Sequence, residues 1–225
     1  MKSNIHKFQK TKKQIMSKNL KLILVFAISI ALLSCSKDDE TTPTPTPSPT
    51  ALEVKTVSNL FAPSSGIPPA TTGDFVKFNF ATNQIVTTGD NWDIAFRSTT
   101  ILVNGGVVGN ATEPNRTGVG AASVLTGVFA NITSAPADNL FNQDSAVGKA
   151  IPTGSNNGWY NYNSATNVVS PIAGKVLVIK THDGKYAKME ILNYYQDAPA
   201  NPTGVEPSRY YKFNFVYQPN GTKNF

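Results

Sequence analysis

The sequence predicts an all-β domain with mostly antiparallel pairing, and three observations carry that expectation. Apolar and polar residues alternate with a period of two in several short runs, an Asp-Gly pair sits between two β-rich runs, and no stretch after residue 50 sustains a helical period. Residues 74–81 place Phe75, Lys77 and Asn79 on one face and Val76, Phe78 and Phe80 on the other. Residues 91–98 set Trp92, Ile94 and Phe96 opposite Asp93, Ala95 and Arg97. In residues 175–192, two strand-like runs flank His182-Asp183-Gly184, a hairpin signal because a tight Asp-Gly turn needs positive φ at both central positions. Residues 209–218 form a further strand with Tyr211, Phe213, Phe215 and Tyr217 on one face. Such strands bury one side against another layer, which predicts a single layered β domain over residues 51–225. The Lys-Phe-Asn-Phe shared by residues 77–80 and 212–215 is too short to be an internal repeat.

What precedes the domain has a different character. The only cysteine, Cys35, follows Leu32-Leu33-Ser34 at the end of the apolar run 22–33. That run is shorter than the ~20 residues a permanent membrane helix takes. A basic lead, a short apolar core and a small residue before the cut make residues 1–34 a signal peptide resembling a bacterial lipobox, with Cys35 the lipidated residue. Met16 offers an alternative start that gives a signal of ordinary length. Residues 35–50 then form a tether. Ser36-Lys37-Asp38-Asp39-Glu40 is similar to the acidic signal that sends Bacteroidetes lipoproteins to the outer face of the outer membrane. The alternating Pro and Thr of residues 41–50 favour polyproline II, a semi-rigid spacer of about 3.1 Å per residue. Each buried acyl methylene contributes about 0.8 kcal/mol, so more than one chain gives stable anchoring. The expected address is the outer membrane, lipid-anchored and facing the cell exterior.

The formal charge of +6 belongs to this leader and not to the domain. Seven of the 20 basic residues precede Cys35 with no acid among them, leaving thirteen against 14 acidic residues afterwards. A near-neutral domain without a basic block has nothing to neutralise phosphates, so nucleic acid is not an expected partner. No cysteine follows Cys35, so no disulfide framework supports the fold.

Catalytic residues are sparse. His182 is the only histidine after the signal and lies at a turn, where a solvated polar role is expected. A nucleophilic triad needs a histidine held by a carboxylate beside a nucleophile, zinc needs a Cys/His cluster, and phosphate needs a glycine-rich loop opening a helix. None of these patterns is in the sequence, and the acidic residues are scattered, so the expected role is binding without catalysis. Two segments resist strand assignment: residues 104–120 and 131–158, dense in Gly, Asn, Ala, Ser and Pro. Long connections of this kind are commonly functional, and these loops, with residues 159–163, are expected to build the site. Trp159-Tyr160-Asn161-Tyr162 would present alternate rings on its two faces, and such rings suit flat ligands or sugar faces. Asp144-Ser145-Ala146 is similar to the O-glycosylation acceptor pattern of Bacteroidetes, with Ser145 the acceptor.

Taken in order, several blocks resemble one family. They are Asn91-Trp92-Asp93-Ile94-Ala95-Phe96, Val103-Asn104-Gly105-Gly106, Gly118-Val119-Gly120-Ala121-Ala122 and Trp159-Tyr160-Asn161-Tyr162. Asp183-Gly184-Lys185-Tyr186-Ala187-Lys188-Met189, Tyr194-Tyr195-Gln196-Asp197 and residues 210–217 complete the set. Together they are similar to the HmuY family of Bacteroidetes haem-binding lipoproteins. The resemblance implies a hand-shaped all-β fold, a surface or secreted location, and haem binding for iron acquisition through an outer-membrane importer, a TonB-dependent haem receptor. In that family histidines, or methionines in some relatives, ligate the iron from two loop regions. The matching stretches here, residues 130–137 and 163–165, contain neither residue. The haem candidates are therefore Tyr160 or Tyr162 as a phenolate ligand, Trp159 for stacking and Arg116 for the propionates. Met189 alternates with Ala187 and Ile191 and is expected in the core, and by comparison with the family the resemblance puts His182 at the wrong end of its hairpin. The alternative is a surface module of the same fold that has lost haem and binds a glycan or a protein partner.

Overall fold

In the computed structural model, residues 52–66 and 71–225 are described, and they fall in one compact unit. The expected signal peptide, the lipidation candidate Cys35 and the Pro/Thr stretch lie outside them. Nearly all regular structure is antiparallel strand: β1 (Lys55–Phe61), β2 (Val76–Asn79), β3 (Gln84–Val86), β4 (Ile94–Arg97), β5 (Thr100–Val103), β6 (Ala121–Thr126), β7 (Tyr160–Asn163), β8 (Val168–Pro171), β9 (Lys175–Lys180), β10 (Tyr186–Tyr195) and β11 (Ser208–Gln218). A 3₁₀ turn at Phe129–Asn131 leads into the second long loop, and another at Asp138–Leu140 lies within it.

The strands form a five-stranded sheet in the order β1-β11-β10-β9-β6, a four-stranded sheet in the order β3-β2-β4-β5, and the separate hairpin β7-β8. The two larger sheets meet through aromatic rings. Phe78 of β2 lies edge-on to Phe213 and Phe215 of β11 at 5.6 and 5.9 Å, and Phe96 of β4 packs on Tyr211 at 4.8 Å. Burying each such side chain contributes about 1.5–3 kcal/mol, and edge-to-face pairs add to that. Tyr211, Phe213 and Phe215 do share one buried face, as the alternation requires, and Met189 is in the same core.

The central strands are covered on both sides. Val176 and Val178 of β9 face away from the main core into a second cluster, beneath Phe129, Ala135 and Phe225. Lys188 is buried there, donating to the carbonyls of Phe129 (2.9 Å) and Ile132 (2.8 Å) with its ammonium over the Phe129 ring.

Two local expectations change. Trp92 does not share the Ile94 and Phe96 face but packs with Ala95 and Leu102 on the outer side of the four-stranded sheet. The strand alternation begins only at Ile94, so residue 92 precedes it. The β9–β10 turn also differs from a two-residue one. The Thr181 N–H donates to the Lys185 carbonyl and the Gly184 N–H to the Thr181 carbonyl, enclosing a three-residue loop. Only Gly184 has positive φ (84°), the pattern of a turn closed by a left-handed glycine, so the Asp-Gly signal located the hairpin but named the wrong turn.

Candidate functional site

Beside the β7-β8 hairpin lies a partly open cavity of about 360 Å³. That size lies within the range of small-molecule sites. Tyr160 and Tyr162 enter it from β7, Tyr194 and Tyr195 from the end of β10, Ser98 and Thr99 from the β4–β5 turn, and Ser208 and Arg209 from the start of β11. The period of two explains the first pair: Tyr160 and Tyr162 share a face, while Trp159 turns inward and packs at 5.3 Å on Tyr211. Trp159 is thus behind the wall and not in the lining. Its indole N–H donates to the Thr99 carbonyl at 3.0 Å and fixes the β4–β5 turn.

A bulge explains the second pair. Consecutive residues of a regular strand point to opposite faces, yet Tyr194 and Tyr195 both line the cavity. The register with β11 slips between Asn193 and Tyr195, and the Asn193 side chain accepts both following backbone N–H groups at 2.8 and 2.9 Å. Bulges at a sheet rim re-aim side chains in this way.

The tyrosine hydroxyls differ in environment. The Tyr194 hydroxyl lies 3.3 Å from the Ser98 hydroxyl, and burial pushes its pKa up to about 12. Tyr195 accepts the Val169 N–H at 2.9 Å. Tyr160 accepts from the Thr99 hydroxyl at 3.3 Å. Tyr162 is the open one, 45% exposed, its hydroxyl donating to the Asn167 side-chain oxygen at 2.7 Å. Of the four tyrosines, Tyr162 is the most exposed and so the most accessible to a ligand.

Arg209 is the only charged residue in the lining among the described residues. It sits in the bulge with φ at +74°, a left-handed conformation that costs a non-glycine residue on the order of 1–3 kcal/mol. One guanidinium nitrogen donates to the Ser64 carbonyl at 2.7 Å, and no carboxylate lies within salt-bridge distance among the described residues. Ser98 and Asn167 are also left-handed, at 49° and 59°. Three left-handed non-glycine residues thus lie on the cavity wall.

The loops expected to build the site do something else. Residues 104–120 contribute nothing to the cavity lining, and residues 131–158 contribute Ser155, which accepts the Tyr162 N–H at 2.8 Å. Asn104 is fully buried and ties its loop together, donating to the Asp90 and Trp92 carbonyls and accepting from the Thr117 and Gly118 N–H groups. A Cβ on Gly105 would strike the Gly120 carbonyl, so the two glycine blocks are a packed crossing of backbones. The Arg116 side chain is 1% exposed and engages Glu113 at 2.7 Å and Asp144 at 2.9 Å, with Lys149 on the other Glu113 oxygen at 2.6 Å. With two carboxylates on its guanidinium, Arg116 is not available to a ligand, and its expected role at the propionates is replaced by this network. Burial pushes the Glu113 carboxyl up, but hydrogen bonds from Lys149, the Gly109 N–H and Arg116 outweigh it and hold the group below its ordinary value. Asp144 also accepts the Val103 and Ala150 N–H groups. The neighbouring Ser145 hydroxyl donates to the Gly148 carbonyl at 3.0 Å and is partly buried.

His182 is not a solvated turn residue. Its Nδ1 lies 2.6 Å from the Asp93 carboxylate, joining the β9–β10 turn to the four-stranded sheet. Asp93 also accepts the Phe80 N–H at 2.7 Å, and burial raises its carboxyl against these hydrogen bonds. Asp93, His182 and Asp183 each offer a ligand atom within 4.8 Å of the others. With the Asp93 oxygens already holding two backbone N–H groups and the imidazole, and Asp183 paired to Lys185 at 2.9 Å, the arrangement is a clasp between sheets.

The two stretches expected to correspond to ligand loops are separated in role. Residues 130–137 are stitched to the C-terminus, Ala135 N–H to the Lys223 carbonyl and Phe225 N–H to the Thr133 carbonyl. Residues 163–165 form the β7–β8 turn, closed by Asn163 accepting the Ala165 N–H at 2.9 Å. Only the second adjoins the cavity.

A sequence model of the family described as HmuY protein matches residues 71–214. No curated protein matches the chain. Among solved structures it is similar to the apo HmuY analogue of Tannerella forsythia, at 16% identity and a TM-score of 0.47, covering 76% of this chain and 97% of that one. A Bacteroides vulgatus structure named as a HmuY-like haem-binding protein is 15% identical with a TM-score of 0.42, covering 73% and 90%. A Bacteroides fragilis structure named as a lipoprotein is 18% identical with a TM-score of 0.41, covering 64% and 86%. Among the described residues no helix is long and apolar enough to cross a membrane.

Proposed function

Because the chain belongs to the HmuY family, we propose that it is a surface lipoprotein of the outer membrane, anchored through Cys35, that binds haem or a related tetrapyrrole in the tyrosine-lined cavity without catalysis. It passes the ligand to a TonB-dependent receptor. The observation carrying this reading is the convergence of four tyrosines and one unpaired guanidinium on a single cavity. The donor set fits haem through a phenol oxygen, since tyrosine is an established axial ligand type. Tyr162 is the ligand in this reading. Its hydroxyl is the most open of the four, and the Asn167 amide beside it, turned about its last torsion, offers an N–H to a phenolate. Tyr160 and Tyr195 supply ring surface, and bound haem supplies the visible spectrum that reports the site. The expected result of titrating the protein with ferric haem is a saturable, shifted Soret band at about one haem per chain, from this one site. The shift is lost in Tyr162→Phe and kept in Tyr160→Phe. Free-haem spectra throughout would overturn the reading. The hydroxyl and amide groups at Ser98, Thr99, Ser155 and Asn167 favour a second reading, a glycan site, which the same titration would then leave standing.

A further inference from the structure

The bulge that opens β11 gives the cavity a carboxylate-recognition point, and we propose that Arg209 binds an acidic group of the ligand and thereby sets which edge of it enters first. This rests on the reading that the cavity takes a planar tetrapyrrole, and it adds the chemistry of the edge that faces β11.

Four observations carry it. Arg209 is the only ionised side chain on the lining, so its field there is not cancelled by an acid among the described lining residues. Its guanidinium donates at 2.7 Å to the Ser64 carbonyl, a contact that anchors one nitrogen. A guanidinium has five N–H donors in a rigid fork, so the remaining donors match a carboxylate with two parallel hydrogen bonds. Its backbone is held at φ +74°, where an arginine is strained, so the fold keeps this residue here against its local preference. Ser208, beside it on the lining, offers a hydroxyl to the same carboxylate. Arg116 shows the contrast. It is just as cationic, but its guanidinium already holds Glu113 and Asp144.

A planar ligand bearing carboxylates on one edge therefore places that edge at Arg209 and the opposite edge toward the β7-β8 hairpin. Neutralising those carboxylates removes the orientation preference without changing the apolar face that the tyrosines meet. Charge-assisted pairs of this kind are worth roughly ten- to a hundred-fold in affinity when partly shielded from water.

The test compares ferric protoporphyrin IX with its dimethyl ester, titrated into the purified full-length chain in the same solvent. The diacid is expected to bind at least about ten-fold more tightly than the diester. In Arg209→Asn, which tolerates the left-handed backbone, the ratio falls to about one while the diester affinity stays within about two-fold. Arg209→Lys keeps part of the preference because it retains the charge and loses the fork. An undiminished preference in Arg209→Asn, or equal binding of both forms to the unaltered chain, overturns the assignment while leaving the cavity reading intact. Binding of neither form overturns the cavity reading and the assignment together.

Discussion

The molecule holds two polar regions, each with an arginine, that differ in whether that arginine is already paired with acid. Under the glycine-rich loops, the side chains of Arg116, Glu113 and Asp144 are buried and paired, with the part-exposed Lys149 also on Glu113, at 2.6–2.9 Å. At the end of the β7-β8 hairpin, the hydroxyls and the single guanidinium of the cavity are each held by one partner and face open space on the other side. A buried network whose partners are all internal rigidifies a fold. A cavity whose donors are held in place but only partly used is built to meet something else. An arginine in a long loop therefore indicates a site only when its neighbours leave it unpaired.

The comparison breaks most visibly at Asp144. Asp144→Ala leaves Arg116 with a single carboxylate that it shares with Lys149, and strips the Val103 and Ala150 N–H groups of their acceptor. Removing one partner of a buried pair costs roughly 3–5 kcal/mol. At this chain length the melting temperature should drop by on the order of 10 °C in calorimetry, with haem affinity per folded molecule unchanged. A normal melting temperature would show that the network is not structural.

Acid should loosen the same network. The folded-state pKa of Glu113 is lowered, so its contribution is fully present above the ordinary value of 4.5 and is lost as pH falls through the folded value. Asp93 acts in the opposite sense, because burial raises its carboxyl above 3.8 and folding favours its protonated form. Thermal melts from about pH 6 down to about pH 3 should therefore show a fall that is shallower in Glu113→Gln and steeper in Asp93→Asn, after normalising to each protein's plateau.

A smaller effect is expected at Lys188. Lys188→Met keeps the apolar stem but leaves the Phe129 and Ile132 carbonyls without their donor, at a cost of about 1–3 kcal/mol in chemical denaturation. The cavity should be the least sensitive to stability measurements. Tyr162→Phe removes one exposed hydrogen bond and should change stability by less than about 1 kcal/mol while removing the Soret shift. Arg209→Asn should leave the melting temperature unchanged or slightly raised, since it relieves a strained φ.

Much of the scaffold was legible because period-two alternation is a local property. It located β2, β4, the β9–β10 hairpin and β11 and placed Phe213 and Met189 in the core. It also put Tyr160 and Tyr162 on one face, where the cavity is found. It could not show which residues from distant parts of the chain complete the cavity. Tyr194 and Tyr195 share the lining only because the register slips beside them, and strict alternation sends one of them away. Arg209 enters through a left-handed residue that no propensity for arginine suggests. Arg116 misled for the complementary reason. Its partner Asp144 lies in another loop, and nothing local to residue 116 shows that its charge is already paired. Glycine-dense composition likewise marked open loops, where the structure uses the absent Cβ to let two backbones cross at Gly105 and Gly120.

The central claim is that the cavity, and not the glycine-rich loops, meets the ligand. Hydrogen–deuterium exchange with and without one equivalent of ferric haem tests it most directly. Protection confined to residues 160–169, 194–195 and 204–209 is the expected result. Protection centred on residues 104–120 and 131–150, with the tyrosine cavity unchanged, would contradict it.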